Sequence, residues 1–179
     1  MNKILFPIIL LQALLGWNTA VAWDPREVTK LDAGAQQAIA QFKEKDPSMQ
    51  VFQDTAAAYA VFPTIGKGGI GIGGARGKGL LYENGEPTAI VTLTQLTVGF
   101  QWGGQAYSEF IFFEKASDVE DFKRGNYELG AQASAVAVTL GASADANYTR
   151  GVAVFTQAKG GLMYEATVGG QKFKIELLK

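Results

Sequence analysis

The sequence contains 179 residues with 16 basic and 17 acidic side chains, a formal net charge of −1 at pH 7. This balance gives no general attraction to nucleic acid or to anionic membranes, so we predict no nucleic-acid partner and expect anion binding only from a local patch. The sequence has no histidine and no cysteine, which excludes Ser-His-Asp and Cys-His triads, disulfides and the common zinc sites. We therefore expect no metal, no cofactor and no catalytic residues.

Residues 1–22 have the pattern of a secretory signal peptide. Lys3 precedes an apolar stretch at 4–15, and small residues precede a cleavage point after Ala22. The apolar stretch is shorter than the roughly 20 residues that span a bilayer, which disfavours the alternative of an uncleaved anchor. We expect export to the periplasm or the medium, no lipid anchor because no cysteine is present, and a single domain over 23–179.

Two helices are predicted next. Leu31, Ala35, Ile39 and Phe42 recur at helical spacing within 29–45, and the sequence Asp-Pro ends this pattern. A shorter helix is predicted over 48–57. We expect both helices to pack on a sheet; the alternative of a lipid-seeking amphipathic helix is disfavoured, because the polar face is not rich in basic residues.

The stretch 59–83 is rich in glycine and β-forming residues. Residues 69–74 fit the G-x-G-x-x-G pattern formally, but no helix can follow them, so no dinucleotide site is predicted. We expect Gly71 and Gly73 to lie where the sheet bends or where another segment packs closely.

Further strands follow from alternation and turn signals. Asn84-Gly85 predicts a hairpin turn. In the stretch 89–102 the polar residues change face near Thr94 and Gln95, which predicts a bulge there. Other strands are expected at 105–113, 142–148, 152–157, 162–168 and 173–178. A short helix is expected over 117–124, with Ser117 and Glu120 forming a capping box.

These elements predict an α+β fold. We expect a strongly bent antiparallel β-sheet or barrel-like sandwich, with an N-terminal helical pair and one short additional helix. Within this sheet the strand at 105–113 is apolar on both faces, and Glu109 is its buried carboxylate. Glu109 either satisfies backbone amides or pairs with an arginine, or it has a raised pKa and binds or acts on a ligand.

Four basic residues accompany the glycines: Lys67, Arg76 and Lys78 in the glycine-rich stretch, and Lys159 in a similar segment further along. They are either solubilising charges at hairpin tips or an anion and lipid-headgroup site. The second reading follows from glycine turns, which expose backbone amides beside fixed positive charge.

Four separated segments resemble the SYLF domain family: AYAVFPTIGKGGIGIGGARGKGLLY, TVGFQWGGQAYSEFIFF, YELGAQASAVAV and AVFTQAKGGLMYEATVGG. The resemblance covers roughly 28–179. It implies association with lipid or a membrane surface, since eukaryotic members bind phosphoinositides and act with actin at membranes, and bacterial members are exported.

The function expected from these observations is non-enzymatic binding of anionic lipid or a membrane surface in the bacterial envelope. One alternative is an interaction protein that binds another envelope protein through its sheet edge. A less favoured alternative is a carboxylate-based enzyme around Glu109.

Overall fold

The chain folds as an α+β protein, and its computed structural model describes residues 23–99, 104–125, 127–130, 135–160 and 168–178. The expected signal peptide lies outside the described residues, as does the expected strand at 162–168 apart from its last residue.

The N-terminal helical pair is confirmed. Helix α1 spans Pro25–Lys45; the Asp24 side chain accepts a hydrogen bond from the Arg26 backbone N–H at 2.9 Å, and a proline occupies the first turn. The helix ends at Asp46, before a single 3-10 turn, Pro47–Met49, and the short helix α2, Gln50–Thr55. The second predicted helix is therefore divided into two shorter pieces.

Six strands form one sheet in the described part of the chain, in the order β4-β5-β3-β1-β2-β6. The strands are β1 Ala58–Glu83, β2 Glu86–Gly99, β3 Gln105–Phe113, β4 Val136–Ala137, β5 Val152–Ala158 and β6 Gln171–Leu177. All neighbours pair antiparallel except β4 and β5, which are parallel. The predicted hairpin joins β1 to β2, with φ of 53° at Asn84 and 82° at Gly85.

Strand β1 bends so strongly that its two halves approach each other. Residues 58–67 pair with β3, residues 71–83 pair with β2, and Gly69 between them has a φ of 143°. A Cβ atom on Gly77 would lie 2.7 Å from Ile65 Cγ1, and one on Gly79 would collide with the Val61 carbonyl oxygen. Close packing against glycine is thus found at Gly77 and Gly79, while the expectation for Gly71 and Gly73 stays a prediction.

The predicted bulge near Thr94 and Gln95 is wrong. The β1–β2 register runs unbroken from Gly71↔Gly99 to Leu81↔Ala89, and its shift lies at Leu81/Tyr82. The strand keeps its alternation because Gln95 can turn inward, where its Nε2 donates to the Gly169 carbonyl at 2.9 Å. As a consequence, Leu96 is forced outward.

Two further expectations need correction. Helix α3 spans Ala116–Lys123, but its cap differs: the Asp118 carboxylate accepts from the Lys115 backbone N–H at 3.0 Å, in place of a box formed by Ser117 and Glu120. The segment 142–148 is not a strand. It forms consecutive turns, because the Ser143 backbone and hydroxyl both donate to the buried Asp46 carboxylate at 2.7 Å.

Each face of the sheet covers a hydrophobic core. The helix-side core packs α1 and α2 on the sheet; for example, the Phe42 and Phe110 ring centroids lie 4.1 Å apart. The inner core lies within the bend and includes α3, with Phe122 and Phe173 ring centroids 5.2 Å apart. Over the residues that the structure describes, no helix is long and apolar enough to cross a membrane.

Candidate functional site

Cross-strand pairing gathers basic side chains on the outer surface of β1, β2 and β6. Directly opposed residues of antiparallel strands share a face. The register therefore forms one row from Arg76 through Thr94 to Lys172. A second row, two residues along each strand, runs from Lys78 through Thr92 to Lys174.

We call this surface the basic face. It consists of the basic residues Arg76, Lys78, Lys172 and Lys174, the threonines Thr92 and Thr94, and Leu96. All four basic side chains are exposed to solvent. Each basic residue lies across a threonine from another one, so the positive charges lie on β1 and β6, on either side of β2.

Leu96 gives the basic face an apolar protrusion. It pairs with Gly74, next to the row that contains Arg76, and is 84% exposed. A glycine partner offers no side chain to cover it. Leu96 is the most exposed of the large hydrophobic residues among those the structure describes, and it lies beside positive charge.

Acidic residues partly neutralise the basic face. Lys78 pairs with Glu27 of α1, the Lys174 Nζ lies 2.8 Å from Glu176, and the Lys172 Nζ lies 3.6 Å from Glu128. The lysine side chains of the last two pairs are more than 70% exposed, so each pair contributes little stability, typically about 0–1 kcal/mol, and is readily exchanged.

Arg76 differs from the three lysines. It forms no ion pair with any residue in the described part of the chain. Its guanidinium presents several N–H donors in a planar fork that suits phosphate and carboxylate oxygens. Arg76 is therefore the most available cation of the basic face.

The structure does not bring the four basic residues expected from the sequence into one cluster. Arg76 and Lys78 share the basic face. Lys67 is only 8% exposed, lies on the inner side of β1 opposite Gln105, and burial lowers its pKa. Lys159 follows β5, where its Nζ donates to Thr64 Oγ1 at 2.9 Å.

Two cavities lie away from the basic face. One, of about 640 Å³, is lined by Lys159 together with Glu44 and Lys45 at the end of α1. The other, of about 650 Å³, lies beside β5 and is lined by apolar residues such as Val152 and by Arg150. Neither of these two cavities is lined by Lys67, Arg76 or Lys78.

Glu109 is fully buried in the inner core. Its Oε2 accepts a hydrogen bond from Gln171 Nε2 at 2.9 Å. Burial raises the pKa of Glu109 to about 8, and the Gln171 bond offsets only part of that rise. Of the two alternatives for Glu109, its hydrogen-bond partner is a side-chain amide and not the backbone or arginine of the first, and its pKa is raised as in the second, whose ligand stays a prediction.

Acid–base hydrolysis by paired carboxylates requires a second carboxyl group near the first. No other carboxylate hydrogen-bonds to Glu109 within the described ranges. The same ranges contain no group of three or more acidic side chains that could hold a metal ion. The geometry around Glu109 therefore gives the enzyme hypothesis no support.

Sequence reasoning missed Lys172, Lys174 and Leu96. A signal for the two lysines was present, since residues 171–176 alternate between inward and outward positions and place both lysines on one face. Leu96 was missed because the expected bulge would have turned it inward.

One comparison with known proteins matches the part of the chain that runs from β2 to β6. A family model described as "Ysc84: Las17-binding protein actin regulator" matches residues 94–176, from β2 to β6. No curated protein matches the chain. The matched region contains Leu96, Glu109, Lys172 and Lys174. Residues 94–176 of this chain therefore match the Ysc84, or SYLF-domain, family, which agrees with the resemblance seen in the sequence.

Proposed function

We propose that this protein binds anionic lipid at a membrane surface through the basic face, without catalysing a reaction. The observation that carries the proposal is the pair of cross-strand rows that hold Arg76, Lys78, Lys172 and Lys174 beside the exposed Leu96. The family match over residues 94–176 supports the same class of function. We further propose that the protein acts in the bacterial envelope, after export directed by residues 1–22.

Charge and shape both suit a membrane surface. A broad sheet face that carries basic and hydroxyl side chains can contact many headgroups at once, whereas a deep pocket binds one ligand. Each basic residue near an anionic surface contributes about 1 kcal/mol. Leu96 can enter the headgroup region, where burial of a leucine side chain contributes roughly 1.5–3 kcal/mol.

Vesicle co-sedimentation tests this proposal. The variant Arg76→Gln/Lys172→Gln/Lys174→Gln removes three charges and leaves the Lys78–Glu27 contact to α1 in place. We expect it to bind phosphatidylglycerol vesicles about a hundredfold more weakly than wild type, because three basic residues contribute roughly 3 kcal/mol. Neither protein should sediment with neutral phosphatidylcholine vesicles.

A matched control distinguishes the position of the removed charges from the change in net charge. The variant Lys30→Gln/Lys43→Gln/Lys45→Gln makes the same change in net charge at exposed residues of α1. It should bind nearly as wild type does. If the two triple variants lose affinity equally, the site is not the basic face, and weaker binding of the control alone would assign the site to α1.

Protein binding is the second candidate, because the family description names Las17 binding and actin regulation. Failure of wild type to sediment with either kind of vesicle would reject the lipid proposal and favour a protein partner.

A further inference from the structure

The bend brings the two ends of the sheet to opposite sides of one cavity. At one end lies β5, whose outer neighbour β4 has only two residues. At the other end the segment 127–129 extends the sheet beyond β6, because the Leu129 N–H donates to the Gln171 carbonyl at 3.0 Å and the Gly170 N–H donates to the Leu129 carbonyl at 2.8 Å. Residues of β5 and of this segment line the cavity of about 650 Å³, which we call the seam cavity.

The seam cavity has an apolar floor and a polar rim. The floor consists of almost fully buried side chains: Leu129, Val152, Ala153, Val154 and Phe155. The rim consists of exposed ones: Asp145, Asn147, Thr149 and Arg150. The four floor residues of β5 extend over about 10 Å of strand, and the volume lies within the range of about 300–1,000 Å³ that is usual for small-molecule sites. Such a cavity suits a ligand with an extended apolar body and one polar end.

Arg150 is a cation of the rim that lies across the opening. Its Nη1 is 3.6 Å from the position that a Cβ atom would have on Gly130, in the segment that forms the opposite wall. Arg150 forms no ion pair with any residue in the described ranges. A guanidinium group presents several N–H donors in a planar fork, which suits the oxygens of a carboxylate or a phosphate.

The backbone at Arg150 disfavours an arginine. The two-residue loop Arg150-Gly151 joins the paired residues 149 and 152, with φ of 52° and 80°. The loop Asn84-Gly85 has nearly the same geometry, with φ of 53° and 82°. Loops of this type favour asparagine or glycine at the first position, because larger side chains are strained at positive φ. Neither the turn nor an ion pair within the described structure accounts for the arginine, and strained positions of this kind are typical of functional sites.

Acidic groups near the rim were considered for their effect on the charge of the ligand. The Glu128 carboxylate lies 3.6 Å from the Lys172 Nζ, so a lysine already balances it. The Asp118 carboxylate packs beneath the loop, where a Cβ atom on Gly151 would lie 2.4 Å from its Cγ. Asp145 forms no ion pair among the described residues and therefore opposes Arg150 in its effect on a charged ligand. The position of the Arg150 guanidinium across the opening favours a negative ligand group.

We propose that the seam cavity binds a single-chain amphiphile with an anionic end. Its alkyl chain lies on the buried floor along β5, and its carboxylate or phosphate accepts hydrogen bonds from Arg150. A free fatty acid and a chain with a phospholipid-like headgroup share this chemistry. The proposal rests on the seam cavity and not on the proposed function of the basic face.

Titration calorimetry with laurate, dodecyl phosphate and 1-dodecanol tests this proposal on wild type and Arg150→Asn. We expect the variant to bind both anionic ligands at least about tenfold more weakly, since a hydrogen bond to a charged group contributes at least that much. It should bind the neutral 1-dodecanol as wild type does. Because Asn-Gly is the favoured pair for this loop, the melting temperature of the variant should equal or exceed that of wild type. Weaker binding would then not result from loss of the fold.

Two control variants test the charge and the location of the ligand. Asp145→Asn should bind laurate at least as tightly as wild type, and weaker binding would overturn the anionic assignment. Gly130→Leu should weaken the binding of all three ligands, because its side chain would occupy the opening. A Cβ atom there meets only Arg150 Nη1 within 4 Å, so the backbone tolerates the change. Unchanged binding in Gly130→Leu would place the ligand elsewhere and overturn the proposal.

Two further results would overturn the proposal: wild type that binds neither laurate nor dodecyl phosphate, or an Arg150→Asn variant that loses affinity for 1-dodecanol as much as for laurate. Tighter binding of laurate than of dodecyl phosphate supports a fatty acid as the ligand, and the reverse supports a phospholipid-like headgroup. Vesicle binding is measured separately. Laurate binding by a protein that does not sediment with vesicles would reject the proposed function and retain the seam cavity as a site.

Discussion

Asp46 organises the junction between the helical pair and the turns at 140–146. Its carboxylate is fully buried and accepts hydrogen bonds from the Ser143 N–H and hydroxyl at 2.7 Å, the Gly141 N–H at 3.3 Å, and the Ser48 N–H and hydroxyl. Burial acts to raise the pKa of Asp46, but the bonds from Ser48 and Ser143 outweigh burial and lower it to about 2. The ionised form therefore stabilises the fold.

This lowered pKa predicts a pH dependence with a definite sign. The folded pKa of about 2 lies below the ordinary value of 3.8, so the stabilisation is present above about pH 4 and is lost as pH falls through 2. It amounts to about 2 kcal/mol. We expect Asp46→Asn to lower the free energy of unfolding by about 1–3 kcal/mol at pH 6, because a buried set of donors loses its charged acceptor.

Urea denaturation of wild type and Asp46→Asn at pH 6 and pH 2 measures this effect. The difference between the two proteins should shrink by about 2 kcal/mol at pH 2, where Asp46 is protonated in the unfolded wild type and about half protonated in the folded one. Other carboxylates are common to both proteins and cancel in the difference. A difference that is the same at both pH values would show that the carboxylate charge does not stabilise this junction.

At the scale of elements, the long strand β1 depends on the absence of side chains where its halves meet. The Cβ atom of any residue at Gly79 would collide with the Val61 carbonyl oxygen and lie 2.8 Å from Phe62 Cδ1. The first contact is with backbone, which cannot rotate away as a flexible side chain can. Gly79 is therefore required by packing.

Gly79→Ala should lower the free energy of unfolding by about 1–3 kcal/mol, the usual cost of overpacking a core. Gly66→Ala is the matched control in the same strand, since a Cβ atom there would have no heavy atom within 4 Å. We expect the control to change stability by less than about 1 kcal/mol. Thermal or urea unfolding measures both, and equal destabilisation would mean that the contact between the halves of β1 is not tight.

Elements with local signals were predictable from the sequence. The Asn84-Gly85 turn needs positive φ at both residues, and helix α1 carries its own periodicity and its terminating Asp-Pro. Elements whose conformation depends on partners distant in sequence were not predictable. Gln95 lies inward because the Gly169 carbonyl accepts from it, and Ser143 lies in a turn because Asp46 binds it, and neither partner is near in sequence.

At the scale of the molecule, the difference between local signals and distant partners explains why only part of the site could be predicted. Arg76 and Lys78 were identified because they lie together in one segment. Lys172 and Lys174 join them only through the pairing of β2 with both β1 and β6, which sequence spacing does not reveal. Lys67 and Lys159 were grouped with them by composition, but the bend of β1 and the end of β5 place these two elsewhere.

The balance between local and total charge leads to the last prediction. The formal net charge is −1 at pH 7 and the sequence pI is about 5.5, so the molecule as a whole does not favour an anionic surface at neutral pH. Without histidine, most of the rise in charge on acidification comes from carboxylates, and the molecule becomes positive below its pI. Binding to phosphatidylglycerol vesicles should therefore be stronger at pH 5 than at pH 7.5, and stronger at 10 mM than at 150 mM salt.

The salt effect follows from the Debye length, which falls from about 30 Å to about 8 Å over that range. Co-sedimentation of wild type and Arg76→Gln/Lys172→Gln/Lys174→Gln under all four conditions separates total charge from local charge. The more positive total charge at pH 5 should raise the affinity of both proteins. The ratio of wild-type affinity to variant affinity should stay similar, because the basic face is charged at both pH values. Affinity that is insensitive to salt would show that electrostatic attraction does not drive the binding. Equal affinities of wild type and variant at pH 5 would show that total charge alone, and not the basic face, determines the binding.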